Sequence, residues 1–186
     1  ALAKHFNWKA FFEAVDGNPY LSDFYEDMRR WSFNLQIYFL SARFRHHREM
    51  LLGEGGLVQD RTIYEDVEIF ATNLHRMGLM SKRDFDNYKA LFYEMGEYLR
   101  PPDLLIYLRA QVPTLVRQIQ SRGREYENGI RIDYLEGLNT LYESWVDSYP
   151  HPKLIIDTDN LDFVNDPSDL GAVIGLVEQR LFSLFP

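Results

Sequence analysis

Three places in this chain put acid and base where chemistry could use them. Glu13 closes the run Ala10-Phe11-Phe12. A carboxylate held at the end of a strand can take a proton from a substrate hydroxyl, although a lone glutamate is more often a surface residue. Asp60 and Arg61 stand side by side after the short apolar run that starts at Leu57. There the carboxylate could hold Mg²⁺ through oxygen, and the guanidinium could neutralise charge on a transferred phosphoryl group. The competing interpretation is a structural ion pair at a sheet edge. Asp66 and Phe70 follow at a spacing that lets both reach the same cleft, although a phenylalanine on a helix is more often core than a stacking platform.

A second group lies on a helix. Tyr25, Gln36 and Arg43 are separated by eleven and seven residues. On one continuous helix those steps return to the same direction within about 20°. A phenol, an amide and a guanidinium in one stripe suit a polar, ring-bearing ligand; a half-exposed polar face would look the same. The third place is Ser121–Gly129, SRGREYENG, in which two arginines flank one glycine and two glutamates flank one tyrosine. Its plain interpretation is a solvated loop. Other chemistries are absent. There is no cysteine, so disulfides, thiolate metal sites and a cysteine nucleophile are excluded. His46 and His47 are adjacent and cannot share a helix face as ligands. Gly53-Glu-Gly-Gly56 lacks the Lys-Ser/Thr of a phosphate loop and leads from helix into strand, so it reads as a turn.

The elements that must position these residues alternate in type. Strands are expected over Lys9–Val15, Leu57–Thr62, Asp103–Ala110 and Lys153–Asp159. Ala1-Leu2-Ala3-Lys4 reads as the tail of a helix already under way. A long helix is expected over Leu21–Leu52, with Met28, Trp31, Leu35, Tyr38, Phe39 and Ala42 at helical spacing. A second begins at a Ser81–Asp84 cap and carries Phe85, Tyr88, Phe92, Met95 and Leu99 on one face. Further helices follow Pro113, run through Tyr134, Leu138, Leu141, Tyr142 and Trp145, and start at Asp166-Pro167. Such alternation predicts an α/β domain with a parallel sheet covered by helices on both faces. Ligands of such sheets bind at the carboxyl ends of the strands, which singles out Glu13, Asp60, Arg61 and Arg109.

The 186 residues are enough for one domain, and 46% hydrophobic with 15% aromatic residues is a core-forming composition. A net charge of −8 disfavours a nucleic-acid polymer as partner. No apolar run approaches the roughly 18 residues of a membrane span, so no membrane partner is expected.

Taken together, Glu13–Val15, Asp60–Asp66 (DRTIYED), Asp103–Ala110 (DLLIYLRA) and Arg122–Ile130 (RGREYENGI) resemble, in order and across the chain, the deoxynucleoside kinase family. The likeness is to its bacterial deoxyadenosine/deoxyguanosine kinase branch, related to deoxycytidine and deoxyguanosine kinases. The resemblance implies a P-loop-kinase-like three-layer fold spanning 1–186, with a lid at about 118–130. It implies transfer of the γ-phosphate of ATP, with Mg²⁺, to the 5′-hydroxyl of a deoxynucleoside in cytoplasmic nucleotide salvage. In the roles it implies, Glu13 is the general base and Arg61 the arginine near the base and phosphates, with Asp60 at the Mg²⁺. Tyr25 and Glu127 grip the 3′-hydroxyl. Gln36 bonds the nucleobase and Phe70 stacks on it, and Arg43 with Asp66 shapes the base pocket. Arg122 and Arg124 close over the donor phosphates. Deoxyadenosine or deoxyguanosine is the expected acceptor, then deoxycytidine. A homodimer is expected through an apolar face of the Leu21–Leu52 or Phe85–Leu99 helix.

Two departures from the family pattern stand out. The family opens with a strand and a Gly-rich loop ending Gly-Lys-Ser/Thr, and this chain as given has neither. It also carries Asn18 and its neighbours where many relatives have a tryptophan under the base. Two other readings therefore accompany the kinase: a nucleoside-binding module without catalysis, and a nucleoside monophosphate kinase, whose acceptor site should grip a phosphate.

Overall fold

A computed structural model describes residues 1–185 apart from 14, 16, 125, 126 and 128. Helix α1 (Leu2–Phe6) leads into strand β1 (Lys9–Phe11), then α2 (Leu21–Glu26), α3 (Met28–Leu52) and β2 (Leu57–Gln59). A continuous helical stretch follows: α4 (Ile63–Glu65), a π-helical segment over Asp66–Ala71, and α5 (Thr72–Arg76). Then come α6 (Lys82–Gly96), β3 (Leu105–Arg109), α7 (Val112–Arg122), α8 (Ile132–Ser148), β4 (Lys153–Asp157) and α9 (Pro167–Leu184).

The strands are parallel, as their alternation with helices predicts, and they pair as β1–β2 and β3–β4. Among the described residues no ladder joins the two pairs, where the sequence suggested one sheet. The strands are also shorter than expected. β2 stops at Gln59 because Asp60 N–H makes the closing bond to Phe11 O, and Arg61 then turns to φ 60°. That left-handed conformation cannot continue an extended strand.

Alternation along β3 shows how the layers stack. Ile106 packs with Ile156 of β4 and with Val173 and Val177 of α9. Its neighbour Tyr107, pointing the other way, stacks on Tyr142 of α8 at 5.8 Å and donates to Glu143. Helices α8 and α9 therefore cover opposite faces of the pair. The largest core lies between α2, α3, the 63–76 helical stretch and α6. There Leu40, Leu74, Val67 and Tyr88 are almost wholly buried.

The long helix expected over Leu21–Leu52 is two helices. Asp27 (φ −140°, ψ 83°) leaves the helical region, and its carboxylate accepts from Arg30 N–H at 3.0 Å. A short acidic side chain satisfies an otherwise orphaned helix-start amide, and this local bond outweighs the propensity to continue. The Gly53–Gly56 turn ends α3 as expected. Gly56 lies so close beneath the Trp8 indole that a Cβ there would stand 2.0 Å from its ring nitrogen. Ser81 caps α6 by accepting from Asp84 N–H. A reciprocal capping box forms instead at Thr62 and Glu65, at the start of α4.

Candidate active site

Four charged side chains from four segments meet at the carboxyl ends of β1 and β2. Arg43, on α3, is only 3% exposed and is the hub. Its Nη1 donates to Asp66 Oδ1 at 2.7 Å and its Nη2 to Glu13 Oε1 at 2.6 Å. Arg61 Nη1 donates to the same Glu13 oxygen at 2.9 Å. Among the described residues both donors address Oε1, and neither bonds Oε2. A charge buried this deeply persists only when paired and hydrogen-bonded, so the network fixes Glu13 in place. Arg61 also lies 4.6 Å above the Phe70 ring. Its positive φ is rare for a non-glycine residue, and the backbone strain is held where the site is assembled.

These residues line one solvent-open cleft. Leu21, Phe24, Tyr25, Leu35, Gln36 and Phe39 form one wall. Buried polar atoms normally find partners, yet among the described residues three on the cleft have none: Gln36 Oε1, Arg43 Nε and Asp66 Oδ2. Two acceptors and a donor are thus unpaired, each buried just beneath the cleft surface. Burial pushes the Asp66 carboxyl up to about 7, with Arg43 opposing the shift and Glu65 adding to it. Burial likewise raises the Glu65 carboxyl, opposed by its bonds to Thr62.

The far side of the cleft is closed by the segment after α7. Gly123, at φ 64°, ends that helix in the left-handed conformation glycine favours. Beyond it Glu127, 6% exposed, accepts from both Arg122 and Arg124. All three line the cleft.

A family model described as deoxynucleoside kinase matches residues 1–182. The chain belongs to the deoxynucleoside kinase family. It is 41% identical over 176 residues to the deoxyadenosine/deoxycytidine kinase of Bacillus subtilis, covering 93% of this chain and 81% of that protein. It is 36% identical to the deoxyadenosine kinase of Dictyostelium discoideum, covering 94% and 70% of the two chains. The deoxyadenosine kinase of M. mycoides, solved with bound dATP, superposes with a TM-score of 0.84 at 28% identity, over 95% of this chain and 90% of that one. The α/β architecture is accordingly the P-loop-kinase fold of this family.

Ten of the eleven site residues expected from the sequence line the cleft: Glu13, Tyr25, Gln36, Arg43, Arg61, Asp66, Phe70, Arg122, Arg124 and Glu127. The reason given for one of them needs correcting. Tyr25 belongs to α2, beyond the break at Asp27, so it reaches the cleft through that break; the helical phase argument holds for Gln36 and Arg43 alone. The eleventh, Asp60, is exposed and outside the lining, next to Arg61. Arg109 also stands apart, its guanidinium held by Glu143 at 2.8 Å. Glu125 and Tyr126 of the lid motif, and Ala14 beside Glu13, lie outside the described residues.

Tyr134 is the polar-tipped lining residue that the sequence did not suggest. It sits among regularly spaced apolar positions of α8 and looks like core, which it also is. The π-helical turn carrying Asp66 and Phe70 was equally hidden. Its trace is Thr72, whose hydroxyl donates to Val67 O, the carbonyl five residues back.

Proposed function

We propose that this family member phosphorylates the 5′-hydroxyl of a purine deoxynucleoside, deoxyadenosine foremost, with deoxycytidine as a further acceptor and ATP as donor. The observation that carries the choice of base is the unpaired set on Gln36, Arg43 and Asp66. An amino-bearing base edge offers hydrogens to the two acceptors and a ring nitrogen or oxygen to Arg43. A thymine edge has no amino group to give, and a site with buried unpaired polar atoms rejects such a ligand strongly. The names of relatives, deoxyadenosine/deoxycytidine kinase and deoxyadenosine kinase among them, agree with an amino-bearing base.

In this mechanism Glu13 Oε2 takes the 5′-hydroxyl proton as the oxygen attacks the γ-phosphorus. The P–O bond to the donor breaks, and ADP leaves with the electron pair. Arg43 and Arg61 hold Glu13 in position. Arg61, Arg122 and Arg124 are placed to spread the charge that builds on the transferred group. Tyr25 and Glu127 are assigned to the 3′-hydroxyl, and Phe70 to the base ring. Asp60 is the carboxylate we assign to Mg²⁺; bound with the donor phosphates, that ion supplies charge neutralisation at the transferred group. Among the described residues no cluster of three or more acidic or histidine side chains could cage a metal. A single carboxylate plus phosphate oxygens is a common setting for Mg²⁺. No helix among the described residues is long and apolar enough to cross a membrane, and a cytoplasmic setting fits the use of ATP.

The test is an ATP- and Mg²⁺-dependent phosphorylation assay of the full-length protein against the four common deoxynucleosides. Deoxyadenosine is expected to give the highest kcat/KM and thymidine the lowest. Glu13→Gln should lower kcat by roughly a hundred- to ten-thousandfold, with the nucleoside still binding. A preference for thymidine, or unchanged turnover in Glu13→Gln, would refute the assignment.

A further inference from the structure

Glu127 lines the cleft with both carboxylate oxygens already engaged. Its Oε1 receives Arg122 Nη2 at 2.8 Å and Arg124 Nη1 at 3.4 Å. Its Oε2 receives Arg122 Nε at 3.1 Å and the same Nη2 at 2.8 Å. These four contacts, from three nitrogens with Arg122 Nη2 shared between the two oxygens, engage both sides of the carboxylate. The acceptor is held inside the protein at 6% exposure, while the Arg122 and Arg124 side chains are 48% and 38% exposed and reach it from the solvent side. A sugar hydroxyl arriving at Glu127 therefore competes with the arginines for its oxygens. Withdrawal with nothing in exchange strands a buried carboxylate, which is unfavourable. Triphosphate oxygens supply the exchange, because the guanidinium fork matches phosphate geometry.

Resting on the assignment of Glu127 to the 3′-hydroxyl and of the lid arginines to the donor phosphates, we propose that Arg122 is a positioning residue that makes recognition of the 3′-hydroxyl conditional on the donor. Without nucleotide, Arg122 occupies Glu127, and the site distinguishes poorly between a 3′-hydroxyl and a 3′-hydrogen. With triphosphate bound, Arg122 turns to it, and Glu127 becomes an acceptor for the sugar. The linkage is reciprocal, so a nucleoside carrying a 3′-hydroxyl tightens donor binding by the same factor. Arg124, with its single long contact, contributes less to the restraint.

The readout is the ratio of affinities for deoxyadenosine and 2′,3′-dideoxyadenosine, titrated on the full-length protein with and without the β,γ-imido analogue of ATP and Mg²⁺. In the unaltered protein the ratio should rise about tenfold when the analogue is added, within the 5- to 150-fold span usual for coupled sites. Arg122→Ala should show the high ratio without any nucleotide, because deoxyadenosine binds more tightly while dideoxyadenosine is unaffected. A residue needed only to hold the lid together would weaken both. Arg122→Lys keeps the charge but loses the fork and should fall between. If Arg122→Ala does not fold, the nucleotide dependence of the unaltered protein decides alone. A ratio that ignores the analogue overturns the coupling while leaving the kinase reading intact; failure of either nucleoside to bind under any condition overturns both.

Discussion

Asp66 is asked to do two things that conflict. It must pair with Arg43 in a place almost without water, and it must keep one oxygen, Oδ2, unpaired for a ligand. Its pKa follows from that conflict, raised by burial to about 7 against an ordinary value of 3.8. The folded protein then holds this proton more tightly than the unfolded chain does. The stabilisation it contributes is fully present below about pH 4 and is lost as pH rises through about 7. The difference in unfolding free energy between the unaltered protein and Asp66→Asn should therefore shrink from pH 4 to pH 8, measured by urea denaturation. A difference that grows over that range would show a depressed carboxyl instead. Arg124 makes a separate prediction. Arg124→Ala should lower kcat by roughly a thousandfold, the scale on which arginines act in phosphoryl transfer, while the nucleoside affinity in a binding titration stays within about threefold.

At the scale of elements, the site depends on small local devices more than on the long helical patterns. The break at Asp27 separates Tyr25 from the phase of α3. Asp27→Ala removes the cap on Arg30 N–H and should cost about 1 kcal/mol in equilibrium unfolding. Its KM for the nucleoside should rise as well, because the angle at which α2 presents Tyr25 is no longer fixed. The Thr62–Glu65 capping box plays the same part on the other wall, starting the helical stretch that delivers Asp66 and Phe70. That box is written openly in the sequence as Thr-x-x-Glu. The π turn after it is not, because a helix with one extra residue per turn has almost the same apolar pattern as an ordinary one.

At the scale of the molecule, the cleft is a seam between two halves. The core around α3 and α6 holds Gln36, Arg43 and Asp66 and takes in Tyr134 of α8, whereas the end of α7 and the segment after it bring Arg122 and Glu127. Leu74 is wholly buried in the first half, and Leu74→Ala should lower stability by about 2–5 kcal/mol by chemical denaturation, with the spread set by how far the cavity collapses. Ligand binding across the seam should restore some of that loss: deoxyadenosine at 100 times its Kd adds about 2.7 kcal/mol, visible as a rise in Tm. A homodimer is expected through an apolar face of either the Leu21–Leu52 or the Phe85–Leu99 helix; of the two we propose the α3 face with Phe33, Ile37 and Tyr38, with gel filtration at twice the monomer mass as the expected outcome.

The sequence by itself determined the order of elements, the parallel pairing, and the identity of most cleft residues. Period and punctuation are local properties, and acid–base pairs at strand ends are visible wherever strands are. Where those residues meet was decided by the tertiary structure. Nothing in the chain says that one Glu13 oxygen receives two arginines from 30 and 48 residues away, or that Arg109 turns aside to Glu143. The same holds for Glu127. Its charge was legible in SRGREYENG, but that its oxygens are already engaged is a matter of distances. Bond geometry and desolvation act between segments that the sequence lists far apart, and only folding brings them within reach of one another.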